Sequence, residues 1–111
     1  MNIHRGSDAL EHLESILPPT FENRILERQE LFRLDLSTEL KRLRKYLGLT
    51  QKQVAEKLGV TQSWISKLES ANHDHTFSEI IAYLAALDAD FEFPIFLNNE
   101  QHTCVSASKD R

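Results

Sequence analysis

Apolar positions recur along most of the chain at intervals of three and four, the spacing that puts side chains on one face of a helix. Leu10, Leu13 and Leu17, with Ile16 adjacent, predict a short amphipathic helix over 9–17. Asp8 and Glu11 open it at capping-box spacing and Pro18-Pro19 ends it. The next stripe is Ile25, Phe32, Leu36, Leu40, Leu43 and Leu47. It predicts one long helix from Phe21 to Leu47, capped by Thr20 and stopped by Gly48, or the same segment broken near Asp35 to Ser37, where Asp35, Ser37 and Thr38 weaken helix propensity.

Two shorter helices follow, over 51–58 with Val54 and Leu58 inward and over 62–70 with Ile65 and Leu68 inward. Thr50 and Thr61 stand at their N-caps, Gly59 stops the first, and Val60 is a buried residue of the corner. Small Ala55 lets the second helix cross close over the first. Thr76 caps a further helix over 77–87, with Ile80, Ile81, Leu84 and Leu87 inward. The period then drops to two. Phe91, Phe93, Ile95 and Leu97 alternate with Glu92, Pro94 and Phe96, a strand that Pro94 confines to an edge or a two-stranded ribbon. Such a strand has no mate in a helical chain. The expected mate is the same strand of a second copy, which makes Phe91, Phe93, Ile95 and Leu97 the expected dimer interface. Polar residues 98–111 are expected to be disordered.

The fold class is therefore mostly α, with one C-terminal β-strand pairing across a dimer. Residues 1–19 form an N-terminal extension, 20–97 the main domain and 98–111 a tail. Charge changes this picture more than composition does. The net charge is −4, which by itself disfavours nucleic acid, yet residues 41–67 carry seven basic side chains and one acid. The flanks are acidic, with four basic and eight acidic residues over 1–40, and two and eight over 68–111. A basic centre can neutralise phosphates while acidic ends repel DNA or seek a basic partner.

The stretch 50–69, TQKQVAEKLGVTQSWISKLE, resembles the helix-turn-helix of the Cro/CI-repressor (XRE) family through Gln51, Ala55, Gly59, Val60, Thr61, Gln62, Ile65, Leu68 and Glu69. The resemblance implies a lambda-repressor-like domain whose second motif helix enters the major groove of double-stranded DNA. It makes Thr61, Gln62, Ser63 and Lys67 the groove-facing candidates, Ser66 joins them by its outward position on the same helix, and Trp64 is divided between packing and contact with a thymine methyl or sugar-phosphate edge. Gln51 looks like the family's phosphate clamp, while the position of Glu69 suggests a structural hydrogen bond or pairing with a nearby Arg and no contact with DNA. Lys52, and Arg44 and Lys45 from the cluster Lys41, Arg42, Arg44 and Lys45, are the candidate phosphate contacts, although cations there also compensate the helix dipole. One such helix reads few base pairs, so a homodimer on an inverted-repeat operator is expected.

A helical extension, this head, and ALDADFEFPIF where the family often has a fifth helix also resemble HigA-type antitoxins. That likeness implies a small basic, HigB/RelE-like mRNA-cleaving toxin as partner and repression of the protein's own operon. A stand-alone XRE-type repressor, or an interaction module that no longer binds DNA, are the alternatives. His73 and His75 with His102 and Cys104 make a poor structural zinc set, because one pair falls in the expected disordered tail, and His73 and His75 are expected instead near the DNA backbone. No nucleophile motif or glycine-rich phosphate loop is present, so neither an enzyme nor a cofactor is implied. One cysteine and no signal-peptide or membrane-length apolar run point to the cytoplasm.

Overall fold

A computed structural model describes residues 19–107. In chain order these form α1 (Pro19–Tyr46), α2 (Gln51–Leu58), α3 (Gln62–Leu68), α4 (Phe77–Ala86), β1 (Glu92–Leu97) and β2 (Glu100–Ser106). The short helix expected over 9–17 lies outside the described residues.

Helix α1 is continuous through the expected break, and Thr20 lies inside it instead of capping it. Ser37 is buried there and donates its hydroxyl to the Leu34 carbonyl at 3.1 Å, so a polar residue faces the core without disturbing the helical ladder. Only the C-terminal half of α1 meets the core, through Leu40 with Leu36 and Leu43 beside it. Phe32 and Leu47, expected on the inward stripe, are exposed. A helix of 28 residues is about 42 Å long, more than a body this small can cover on one face.

Three helix ends are built alike. Leu49 N–H reaches Arg44 O while Gly48 N–H reaches Lys45 O; Val60 N–H reaches Ala55 O while Gly59 N–H reaches Glu56 O. Ala89 N–H and Asp88 N–H do the same with Leu84 O and Ala85 O. Each is a Schellman closure that requires positive φ at its turning residue. Gly48 and Gly59 take it at φ 73° and 70°, but at the end of α4 the residue is Asp88, at φ 56°. Asp88→Gly is therefore expected to raise stability by about 0.5–1 kcal/mol, because relief of the left-handed strain exceeds the added chain entropy. Urea denaturation of the two chains checks this.

The core joins Leu40 to Val54 and Ala55 of α2, Ile65 and Leu68 of α3, and Ile80, Tyr83, Leu84 and Ala86 of α4, with Leu87 just beyond. Ile81, expected inward, is exposed instead and faces the C-terminal strands.

Those strands correct the expectation of an unmated strand and, over residues 98–107, of a disordered tail; residues 108–111 lie outside the described residues. β1 pairs antiparallel with β2 of its own chain, Phe93 opposite Val105 and Ile95 opposite Thr103. The register shifts after Ile95, leaving His102 as the extra residue of a bulge. Asn98 and Asn99, at φ 54° and 65°, form a two-residue turn of the kind that matches strand twist. Ala107 N–H to Phe91 O, at 2.9 Å, closes the base of the hairpin. Phe91 and Phe93 are half-buried, with Phe93 against Phe77 of α4, whereas Ile95, Phe96 and Leu97 remain exposed toward the tip.

Candidate nucleic-acid interface

Local chemistry sets the two motif helices. Thr50 accepts the Gln53 N–H at 3.0 Å while the Gln53 side chain accepts the Thr50 N–H at 2.8 Å, a complete capping box. Thr61 accepts the Trp64 N–H at 3.1 Å and starts α3 at Gln62. The helix ends at Leu68, with Glu69 as its C-cap, two residues short of the expected end.

Tertiary chemistry then fixes the angle of α3. The Glu69 carboxylate accepts from Arg44 Nε at 2.6 Å, Arg44 Nη2 at 2.9 Å, the Tyr83 hydroxyl at 2.6 Å and Gln51 Nε2 at 3.2 Å. Arg44 Nη1 also donates to the Leu49 carbonyl at 2.8 Å. One carboxylate thus ties α3 to α1, α2 and α4. Burial raises the Glu69 carboxyl, but Arg44, Tyr83 and Gln51 outweigh it and hold it below 4.5. Burial, and then the adjacent carboxylate, push the Tyr83 phenol far upward, so its proton stays in place. The Arg44 guanidinium is raised chiefly by its hydrogen bonds to Glu69.

Arg44 is consequently corrected as a phosphate contact. Its side chain is 8% exposed and its donors are engaged inside the domain. Lys45 and Lys52 are exposed, as are Lys41, Arg42, Lys57 and Lys67. Arg42 pairs with Glu39 at 2.8 Å on the surface.

The candidate groove residues share one exposed side of α3. Gln62, Ser63, Ser66 and Lys67 are exposed, and Thr61 is exposed at the cap. Gln51 links the chain's buried and exposed chemistry. Its amide N–H₂ donates to Glu69 and its Oε1 accepts from Gln62 Nε2 at 3.4 Å, so the starts of α2 and α3 lie together. Trp64 is half-buried against the core.

Sequence reasoning expected His73 near the DNA but missed Ser70 and Asn72 on the far wall of this surface. Ser70, Asn72 and His73 line one shallow groove with Ser63, Ser66 and Lys67. The polar loop after α3 was the available signal. His73 Nε2 lies 3.1 Å from Glu79 Oε1, which also closes the α4 capping box on the Thr76 N–H. Burial raises the Glu79 carboxyl, but the Thr76 N–H and then His73 outweigh it, and it sits below 4.5. His75 is turned the other way. Its Nε2–H donates to the Leu68 carbonyl, which corrects the expectation that both histidines approach DNA. Among the described residues, no group of three or more His, Cys, Asp or Glu side chains could hold a metal ion. No helix among them is long and apolar enough to cross a membrane.

The model of a helix-turn-helix domain family matches residues 35–92, just over half of the chain. The match begins within α1 and ends at the first residue of β1, so the N-terminal half of α1 and most of the hairpin lie outside it. Neither the comparison with curated proteins nor that with solved structures gives a match.

Proposed function

Because the chain belongs to the helix-turn-helix domain family, whose domains bind specific DNA and regulate transcription, we propose that it is a repressor that reads an inverted-repeat operator as a homodimer and acts as the antitoxin of its own operon. The observation that carries the DNA-binding part is the exposed polar face of α3, held at a fixed angle by Glu69 and flanked by exposed Lys45, Lys52 and Lys67. Gln62 suits a bidentate contact with adenine, and Lys67 suits guanine O6/N7. Gln51 takes a phosphate at the start of α2, where the helix dipole favours an anion.

A two-fold partner supplies the second reading helix about one duplex turn away. Since Phe91 and Phe93 are turned toward their own α4, we assign the contact with that partner to the exposed distal part of the hairpin, around Ile95, Phe96 and Leu97. The antitoxin role rests on the likeness to HigA-type antitoxins and on the acidic N-terminal 40 residues, which suit a small basic toxin. A stand-alone repressor is the second reading. It is favoured by one fact: the family match excludes the N-terminal part that a toxin would use.

The test is binding to the chain's own promoter, with the inverted repeat intact or scrambled, together with co-expression of the adjacent gene. Protection of the repeat and rescue of growth support the full reading. Protection without a co-purifying basic protein leaves the repressor alone, and no preference for the repeat rejects both. Lys52→Ala is expected to weaken binding to all duplexes alike and to flatten the slope of log K against log salt by about one unit. A salt titration by fluorescence anisotropy reads this directly.

A further inference from the structure

The N-terminal half of α1 leaves the body of the domain. The core reaches this helix only from Leu36 onward, while Leu31 and Phe32 on the projecting part are 60% and 58% exposed. The outer face of α1 carries Arg24 and Arg28 on this half and Asp35 and Glu39 just beyond it, all exposed, with Glu39 also paired to Arg42 of its own chain. Arg28 and Asp35 are seven residues apart, two helical turns, and so flank Leu31 on one side of the helix. Neither makes a hydrogen bond or ion pair among the described residues.

This pattern is self-complementary when reversed. In an antiparallel pair of α1 helices with the two-fold axis midway between Leu31 and Phe32, residues whose numbers sum to 63 lie level with each other. Arg28 then meets Asp35 of the other copy, Arg24 meets Glu39, and Leu31 meets Phe32. Every level pair of charged residues among these is of opposite sign. Moving the axis onto Leu31 itself would set Glu27 opposite Asp35, so charge also selects the register.

We propose that the projecting half of α1 is a self-association surface, occupied by the same half-helix of a second copy running antiparallel. Apolar Leu31 and Phe32 form its centre, and the Arg28–Asp35 pairs fix its register. Because the contact is isologous, each ion pair occurs twice. The contact uses neither the hairpin nor the DNA-reading face, so it stands independently of the proposed function.

The experiment is sedimentation equilibrium of the full chain carrying Phe96→Asp, which removes the hairpin contact. That chain is expected to remain associated. Adding Arg28→Glu or Asp35→Arg replaces two attractions by two repulsions and is expected to weaken association about tenfold or more. The double variant restores opposite charges at every level position and is expected to return to within about threefold of its parent. All these sites are exposed, and circular dichroism melts are the check that each chain folds. The proposal is overturned if the Phe96→Asp chain is monomeric throughout, if either single swap associates like its parent, or if the double variant stays as weak as the singles. A failed hairpin contact shows differently: the wild-type chain and the Phe96→Asp chain then sediment alike.

Discussion

Glu69→Gln is expected to remove about 3–5 kcal/mol from the unfolding free energy at neutral pH, a large part of what a domain of this size possesses. The substitution keeps the volume of the side chain and removes only its charge. Arg44 and Glu69 side chains are 8% and 2% exposed, so the guanidinium would be left buried without its counter-charge. The Tyr83 hydroxyl would lose its carboxylate acceptor at 2.6 Å and fall back on the Leu40 carbonyl at 3.2 Å. Urea denaturation at pH 7 measures the loss, and a change below about 1 kcal/mol would mean that the network contributes little beyond packing.

The same variant separates the pH dependence. The folded-state carboxyl of Glu69 lies below 4.5, so the unfolded chain takes up its proton first on acidification. Its contribution is therefore fully present above about pH 4.5 and is lost as pH falls through the lower folded value. Glu79 acts with the same sign. The parent chain is expected to lose stability steeply below about pH 4.5, and Glu69→Gln to show a shallower acid limb because only Glu79 and weaker carboxylates remain. Arg44→Ala provides the matching control. It is expected to destabilise the fold strongly and, where folded, to leave the salt slope of DNA binding unchanged, unlike Lys52→Ala.

The features legible in the sequence are those whose partners are close along the chain. Thr50 and Thr76 as N-caps and Gly59 at the corner specify helix ends within a few residues, and the structure has each of them. The Arg44–Glu69 pair joins residues 25 apart in sequence. Seen from the sequence, Arg44 is one of four clustered cations, and its charge alone does not distinguish it from Lys45. What separates them is which side of α1 each occupies, and a stripe that placed Leu36, Leu40 and Leu43 inward already implied that Arg44, four beyond Leu40, shares their face.

The hairpin was obscured for a different reason. Asn98-Asn99 is a good two-residue turn, but the bulge at His102 breaks the alternation that would have marked β2, and its residues are mostly polar. A strand with one apolar-poor face and an interrupted period looks like a solvated tail. Ile81 and Phe32 were misplaced because periodicity reports a face and not what covers it. Ile81 faces the hairpin groove, and Phe32 lies beyond the reach of the core.

Gln62→Ala and Lys67→Ala are each expected to lose about 1–3 kcal/mol on the operator, with the loss confined to particular base positions. The two side chains differ in how they are prepared for the task. Gln62 has a partner in the free protein: its Nε2 donates to Gln51 Oε1 at 3.4 Å, a long and exposed bond, and Gln51 is in turn held by Glu69 at 3.2 Å. This leaves the Gln62 carbonyl oxygen and its second N–H to meet a base edge, the donor–acceptor pair that adenine requires. Gln51→Ala should therefore weaken the operator complex twice, by removing a phosphate contact and by releasing Gln62, so its effect and that of Gln62→Ala should be less than additive. Lys67 has no such tether among the described residues and lines the groove with Ser63 and His73, so its loss should fall on binding alone. Anisotropy titrations on the operator, on single-base variants and on a scrambled duplex at one salt concentration measure all of this. Equal losses on operator and scrambled DNA would make Gln62 and Lys67 phosphate contacts, and base selection would then have to come from Ser63, Ser66 and the loop carrying Asn72 and His73.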